Sequence, residues 1–188
     1  MDLSSFEFAP LREDTEILPF RCKDPDLNSF LLEDAKKYLA ELMAVTYLFV
    51  DTKANRTAAY FSLLNDKIAY DPEERSVWNR LNRGIANRKR RKTYPSVKIG
   101  RLAVAEEYER QGLGSAILDF IKRTFTSGNR TGCRFVTVDA YTEASEFYRR
   151  NGFDFFTKKD RKDKTRLMSF DLKPFKTAQV ARRNAVQA

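Results

Sequence analysis

Hydrophobic positions along the chain follow two periods, and their alternation predicts the order of helices and strands. Apolar residues at helical spacing predict a first helix that begins after Asp24-Pro25 and keeps Leu42 on its apolar face. The same spacing predicts helices over residues 113–125 and 143–150, and the second of these ends at Asn151-Gly152. Short apolar runs predict strands at residues 6–11, 45–50, 56–64, 97–105, 134–140, 153–156 and 166–172.

A helical insertion is predicted ahead of the strand at residues 97–105. Val77, Leu81 and Ile85 recur there at four-residue spacing, which is typical of one helix face. The segment is also rich in basic residues. We assign residues 76–95 to this basic helical insertion and the loop that follows it.

The order of elements indicates the fold class. Strands and helices alternate in a way that fits an α/β (α+β) fold with a mixed sheet and helices on its faces. A length of 188 residues favours one domain, which we assign to residues 1–176. Residues 177–188 lack an apolar pattern and predict a frayed C-terminal tail.

Composition excludes several kinds of site. The chain has no histidine, which excludes histidine-based catalytic triads and histidine-bound metals. Its two cysteines, Cys22 and Cys133, are far apart and form neither a disulfide framework nor a thiolate metal site. No apolar run reaches the length of a membrane span, and the N-terminus lacks the pattern of a signal peptide. We therefore expect a cytoplasmic protein that holds no metal and binds no membrane.

The most informative segment is a glycine-containing turn between a strand and a helix. The strand ends at Val104, and residues 111–115 (Gln-Gly-Leu-Gly-Ser) open the helix. A turn at a helix N-terminus presents backbone N–H groups to an anion. The third glycine of a dinucleotide fingerprint is replaced by Ile117, and no Gly-Lys-Ser/Thr follows the turn, so both of those phosphate motifs are absent. An anion site and an ordinary tight turn both stay open at this point.

The helix after this turn has a polar face as well as an apolar one. Its apolar face carries Leu113, Ala116, Ile117, Phe120, Ile121 and Phe125. Asp119, Lys122 and Arg123 are predicted to face water.

Two segments resemble the GNAT superfamily of acyl-CoA-dependent N-acyltransferases. The first runs from Leu102 to Leu118 and contains the Gly-x-Gly turn; the second runs from Asp139 to Phe153 and has the pattern Ala-x-x-Phe-Tyr-x-x-x-Gly-Phe. The resemblance covers roughly residues 45–173. It implies a mostly antiparallel sheet with a central splay between strands.

The resemblance also implies acetyl-CoA as acyl donor and assigns roles to individual residues. The diphosphate is expected on the turn, at Arg110, Gln111, Gly112, Leu113, Gly114 and Ser115, and the pantetheine arm along Leu102, Ala103 and Val104. The N–H of Val104 is the expected oxyanion donor, and Tyr148 is the expected general acid toward the leaving thiolate. Tyr141 and Ser145 are candidates for hydrogen bonds to the cofactor. For Tyr148, Tyr141 and Ser145 the alternative role is ordinary packing.

Two points about the reaction stay open. Glu109 stands where the family usually has Gln or Arg, and a carboxylate next to a diphosphate is unfavourable, so we expect Arg110 to offset it. Without histidine, a base would be a water held by Glu106 or Glu107, or the amine would bind already neutral.

The net charge of +9 is concentrated in one segment. Seven of these charges lie at Arg80, Arg83, Arg88, Lys89, Arg90, Arg91 and Lys92, with no acidic residue among residues 80–92. The cluster is either a solvated face, an RNA-binding surface formed by residues 88–92, or a contact for the 3′-phosphate of CoA.

We therefore expect an acetyl-CoA-dependent N-acetyltransferase that acts on a primary amine of a small molecule, a protein or a charged tRNA. The segment after Asp24 and the strand at residues 100–104 also resemble the toxin-type GNAT subgroup, which acetylates the α-amine of aminoacyl-tRNA. That subgroup implies an antitoxin protein as partner, and a homodimer is a further option. The alternative outside the enzymes is a non-catalytic CoA- or RNA-binding module.

Overall fold

The computed structural model describes residues 2–127 and 131–186, and these contain seven strands and six α-helices. The strands are β1 Glu7–Pro10, β2 Val45–Asp51, β3 Arg56–Ala69, β4 Thr93–Val104, β5 Phe135–Tyr141, β6 Asp154–Phe155 and β7 Thr165–Asp171. The helices are α1 Pro25–Ser29, α2 Ala35–Ala40, α3 Arg75–Asn82, α4 Leu113–Thr124, α5 Ser145–Arg150 and α6 Leu172–Val186.

The strands form one sheet in the order β1-β2-β3-β4-β5-β7-β6. The pairs β1–β2, β2–β3, β5–β7 and β6–β7 are antiparallel. Phe8 lies opposite Phe49 in the first pair, and Val138 lies opposite Met168 in the third. The predicted mixed α/β fold with a mostly antiparallel sheet is confirmed, while the central splay stays a prediction.

By their contacts the residues group into two compact units. The first holds the chain up to Leu64 together with Ile99–Ile121, and the second holds Asn65–Lys98 together with the chain from Lys122 onward. The assignment of a single domain to residues 1–176 stays a prediction.

The core of the first unit forms where the N-terminal helices cover the sheet. Its buried members include Leu11, Phe20, Phe30, Leu31, Leu48, Tyr60 and Ala103. Helix α1 begins at Pro25 because the Asp24 side chain accepts the Asp26 N–H at 2.9 Å, as an N-cap residue does.

The first predicted helix differs from the observed one in two respects. A π-helical turn over Phe30–Asp34 separates α1 from α2, and α2 ends at Ala40. Leu42 adopts a left-handed conformation with φ of 56° and is 92% exposed. The prediction that Leu42 lies on the apolar face is wrong, because a left-handed residue ends the helical spacing that the pattern assumes.

The core of the second unit includes the predicted insertion. Helix α3 buries Val77, and its Trp78 ring stacks on Tyr94 with centroids 5.2 Å apart. Strand β3 continues to Ala69, beyond its predicted end. The polar run before Ile68 hid this continuation in the sequence, although Asp66 there accepts a hydrogen bond from Thr137 Oγ1 at 2.6 Å.

The C-terminal segment is helical where a frayed tail was expected. Helix α6 extends to Val186, and residues 187–188 lie outside the described residues. The segment is rich in Ala, Arg and Gln, which favour helices even without an apolar stripe. Phe175 of α6 packs on Phe170, and Gln179 accepts a hydrogen bond from Thr126.

Candidate active site

The turn before α4 combines a helix N-terminus with two left-handed residues. Arg110 has φ of 58° and Gly112 has φ of 82°. The Gly112 carbonyl accepts the Ala116 N–H at 3.0 Å, so the helical hydrogen bonds begin there. The N–H groups of Leu113, Gly114 and Ser115 precede this first bond and have no partner within the helix.

This geometry suits an anion. Alternating backbone conformations of opposite hand point successive N–H groups into one concave site, and the dipole of α4 adds positive potential. Left-handed φ disfavours any residue but glycine, so Arg110 is held there at a cost of about 1 kcal/mol. Such strained positions recur at functional sites.

The residues that lead into the turn make polar contacts with earlier segments of the first unit. Four consecutive residues each have a partner: Glu106 pairs with Arg21, Glu107 with Arg56, Tyr108 with Asp51, and Glu109 with Lys23. Gln111 also donates from Nε2 to the Glu107 carbonyl at 2.8 Å. The residues that lead into the turn are therefore held in place by these contacts.

The contact between Tyr108 and Asp51 is the best defined of these tethers. The Tyr108 hydroxyl donates to Asp51 Oδ2 at 2.8 Å, and its ring packs edge-on against Phe6. Hydrogen bonds from the Ala54 N–H and then from Tyr108 lower the pKa of Asp51. Burial and then the Asp51 carboxylate raise the pKa of Tyr108 to about 12.

The acidic residues of the turn are already engaged. Glu109 pairs with Lys23, so a neighbouring lysine offsets its charge, whereas the sequence suggested Arg110 for that role. Arg110 is exposed. Glu106 and Glu107, the two candidates for holding a catalytic water, are exposed and pair with arginines.

Strand β4 brings its predicted residues to the start of this turn. Ala103 is buried, and Leu102 and Val104 are half-buried. The Ala105 N–H donates to the Ala58 carbonyl at 2.8 Å, which fixes the end of β4 beside β3.

Tyr148 lies on α5 in the second unit. Its side chain is 7% exposed, and its ring packs edge-on against Phe147 and Phe153, at centroid distances of 5.1 and 5.5 Å. Burial raises the pKa of Tyr148, so its hydroxyl stays protonated at neutral pH. Its role as general acid stays a prediction.

The other two predicted residues of this unit contact each other. The buried Ser145 donates its hydroxyl to the Tyr141 carbonyl at 3.2 Å. The half-buried Tyr141 ring has Lys164 Nζ at 5.3 Å from its centroid. Ser145 thus makes a local bond at the start of α5, and a role of Tyr141 and Ser145 toward a cofactor stays a prediction.

The acetyltransferase (GNAT) domain family matches residues 66–154 of this chain. This range contains β4, the turn, α4 and the whole of α5. The match covers just under half of the chain. No curated protein sequence matches it.

Solved structures show the same fold at low sequence identity. AtaT complexed with acetyl-methionyl-tRNAfMet is 20% identical with a TM-score of 0.72, over 92% of this chain and 98% of that chain. A tyrosine-to-phenylalanine variant of KacT is 19% identical with a TM-score of 0.72, over 93% and 99%. A further bacterial toxin is 16% identical with a TM-score of 0.74, over 94% and 95%.

The basic cluster at residues 80–92 contains residues bonded within the protein and residues that face solvent. Arg90 donates to the Ile85 and Asn82 carbonyls at 3.3 and 3.2 Å, and therefore caps the end of the insertion helix. The side chains of Arg88, Lys89, Arg91 and Lys92 are exposed. Within residues 2–127 and 131–186, no carboxylate forms an ion pair with these four.

One residue of helix α4 that was predicted to lie at the surface is buried. Lys122 of α4 is 6% exposed, so the prediction that it faces water is wrong. Its position four residues after the buried Leu118 was the available signal, since that spacing repeats one helix face. Three aromatic rings and a backbone carbonyl surround its ammonium.

The described residues contain neither a candidate membrane span nor a candidate metal site. No helix there is both long and apolar enough to cross a membrane. No group of three or more Cys, Asp or Glu side chains in the same part of the chain is arranged to hold a metal ion.

Proposed function

We propose that this chain is an acetyl-CoA-dependent N-acetyltransferase that acetylates a primary amine. The observation that carries the proposal is the turn before α4, where left-handed Arg110 and Gly112 precede a helix N-terminus inside the family-matched segment. Acetyl-CoA supplies the acetyl group as a thioester, whose carbonyl carbon an amine attacks.

The residues of the turn fit a diphosphate. The N–H groups from Arg110 to Ser115 would hold it, and Lys23 already pairs with the neighbouring carboxylate, Glu109. A fixed set of donors binds an anion better than a mobile one because little ordering is required on binding. Leu102, Ala103 and Val104 would accompany the pantetheine arm through their backbone.

Val104 and Tyr148 would act on the reacting groups. The Val104 N–H would donate to the oxygen on which negative charge develops. Tyr148 would donate its proton to the leaving sulfur, and its raised pKa keeps that proton available at neutral pH. The amine would bind in its neutral form or lose its proton to water, since Glu106 and Glu107 are held in ion pairs.

For the acceptor we propose the α-amine of an aminoacyl-tRNA. AtaT, whose fold this chain shares over nearly its whole length, has been solved with acetyl-methionyl-tRNAfMet. In this chain, four basic side chains near the end of the insertion face solvent without an acidic partner among the described residues. Such a patch suits a phosphate backbone better than the single phosphate of a nucleotide. A free amine of a small molecule or a protein is the alternative acceptor.

The toxin-type assignment carries further proposals. AtaT has been solved with its antitoxin AtaR, and we propose an antitoxin protein as partner of this chain. A homodimer stays a prediction. We place the reaction in the cytoplasm, since Cys22 and Cys133 are both free thiols.

Calorimetric titration with acetyl-CoA tests the cofactor part of this proposal. Wild-type protein is expected to bind, and Gly112→Ala to bind at least about tenfold more weakly, because a Cβ at positive φ distorts the turn. Gly132→Ala is the matched control, since no atom lies within 4 Å of a Cβ placed there. No heat with wild-type protein at saturating acetyl-CoA would rule the proposal out.

Binding of charged tRNA tests the acceptor. Replacing Arg88, Lys89, Arg91 and Lys92 with Gln should weaken binding and lower the slope of log affinity against log salt by about three. Arg75→Gln removes a charge from α3 and serves as the control. Salt-independent binding by wild-type protein would contradict a role in holding tRNA.

A further inference from the structure

The ammonium of Lys122 is enclosed by one backbone carbonyl and three aromatic rings. Its Nζ donates to the Asn151 carbonyl at 2.7 Å. The same atom lies 4.3 Å from the centroid of Phe170, and 5.7 and 5.9 Å from those of Phe153 and Phe175. A charged group at 6% exposure is unfavourable unless such contacts compensate for lost water. The contacts therefore indicate which part of the protein the Lys122 ammonium holds in place.

They converge on the turn that ends α5. The Asn151 N–H and the Phe153 N–H both donate to the Tyr148 carbonyl, at 3.0 and 3.1 Å. The Asn151 side chain donates to the Phe147 carbonyl at 2.8 Å. Gly152 has φ of 82°, and a Cβ there would lie 3.0 Å from the Phe170 ring. Two of the residues that contact the Lys122 ammonium, Asn151 and Phe153, thus also close the helix that carries Tyr148.

Helix α5 needs such an anchor. It has six residues, Ser145–Arg150, and helices of this length are unstable unless tertiary contacts hold them. A cation at the last carbonyls also compensates for the negative end of the helix dipole. The Phe153 ring touches both partners, since it packs edge-on against Tyr148 and lies beside the Lys122 ammonium.

We propose that Lys122 is a positioning residue for Tyr148: by holding the Asn151 carbonyl and the Phe153 ring, it fixes the place of the phenol. The inference rests on the proposed function, in which Tyr148 donates a proton to the leaving thiolate. An apolar side chain of similar length could fill the same space. What the ammonium adds is the bond to Asn151, and a shift of the donor by about 1 Å costs roughly a hundredfold in rate.

A double-mutant cycle tests this coupling. The assay follows thiol release from acetyl-CoA with in vitro charged tRNA as acceptor. Lys122→Met keeps the length and the contact with the rings and removes the bond to Asn151. We expect it to lower kcat about tenfold to a hundredfold while the KM for acetyl-CoA stays within about twofold. In a Tyr148→Phe background the same change should lower kcat by less than about twofold, since the proton donor is already absent.

Controls separate positioning from stability. Lys176→Met changes an exposed lysine of α6 and should leave kcat unaltered. If Lys122→Met fails to fold, Lys122→Arg replaces it, and its smaller loss of kcat should also vanish in the Tyr148→Phe background. Hydrogen exchange of the peptide from residues 145 to 153 should be faster in either folded Lys122 variant than in wild-type protein and Lys176→Met.

Three results would overturn the proposal, and they have different meanings. Equal losses of kcat in the wild-type and Tyr148→Phe backgrounds, or unchanged exchange over residues 145–153, show that Lys122 does not act through Tyr148, and the proposed function stands. Wild-type kcat in Tyr148→Phe alone shows that Tyr148 is not the proton donor, and then the proposed acid fails together with the role of Lys122.

Discussion

The turn before α4 and the end of α5 are both anchored, but different forces hold them. The turn is tethered mainly by exposed charged side chains, such as the pairs of Glu107 with Arg56 and Glu109 with Lys23. The end of α5 is held by buried contacts around Lys122 and Phe153. Exposed pairs contribute about 0–1 kcal/mol each and are screened by salt. Buried contacts are screened by salt much less.

This difference suits the two proposed tasks. A bound diphosphate adds its own contacts to the donors of the turn, so modest surface tethers are sufficient to preorganise them. Proton donation depends steeply on position, so the donor is held by close packing. We therefore expect changes in the turn to affect cofactor affinity, and changes around α5 to affect turnover.

The largest effect is expected for Tyr148→Phe. Loss of a general acid lowers kcat by about a hundredfold or more, while the ring and its packing remain. Calorimetry should show that affinity for acetyl-CoA is kept. Tyr70→Phe, which also removes a hydroxyl in the second unit, is the control. Equal kcat in wild type and Tyr148→Phe would mean that Tyr148 serves packing alone.

A smaller effect, on the affinity for acetyl-CoA and not on kcat, is expected for Tyr108→Phe. It removes the hydrogen bond to Asp51 that helps to order the turn before the cofactor binds, so affinity for acetyl-CoA should fall up to roughly tenfold. The kcat at saturating cofactor should stay unchanged. A loss of kcat without a loss of affinity would break the proposed division between the two regions.

Lys23→Ala should weaken acetyl-CoA binding about threefold at low salt, because Glu109 then faces the diphosphate without a partner. The loss should shrink as salt rises, and Glu109→Gln in the same chain should restore affinity. If the double variant binds no better than Lys23→Ala, the lysine does not act by offsetting that carboxylate.

The two regions should also respond to opposite ends of the pH range. The pKa of Asp51 is lowered, so its bond to Tyr108 is present above the ordinary value of 3.8 and is lost as pH falls through the folded-state pKa. The pKa of Tyr148 is raised, so the donor stays protonated, and kcat should not fall through its ionisation below about pH 10. An alkaline loss of kcat near pH 8 that disappears in Tyr148→Phe would contradict this.

The sequence predicted the elements of the site better than the contacts that hold them. Glycine at positions 112 and 152 marked both turns, because left-handed backbone favours glycine. The left-handed Arg110 could not be predicted, since its conformation depends on tethers from Lys23, Asp51 and Arg56, which are distant in sequence.

Lys122 shows a second limit. A lysine on a helix is usually solvent-exposed, and only the aromatic residues contributed by the C-terminal part of the chain make a buried ammonium acceptable. Likewise, the exposed Leu42 follows from one left-handed residue that periodicity does not reveal. The error at Lys122 arises where tertiary contacts override local pattern, and the error at Leu42 where the helix ends.

The central claim is acetyl transfer from acetyl-CoA to an amine. The most direct measurement is mass spectrometry of a pool of charged tRNAs and of a panel of free amines after incubation with the protein and acetyl-CoA. The account predicts an added acetyl group on the aminoacyl moiety, formed with release of CoA and lost in Tyr148→Phe. Binding of acetyl-CoA without acetylation of any charged tRNA or amine would contradict it and would favour a non-catalytic binding module.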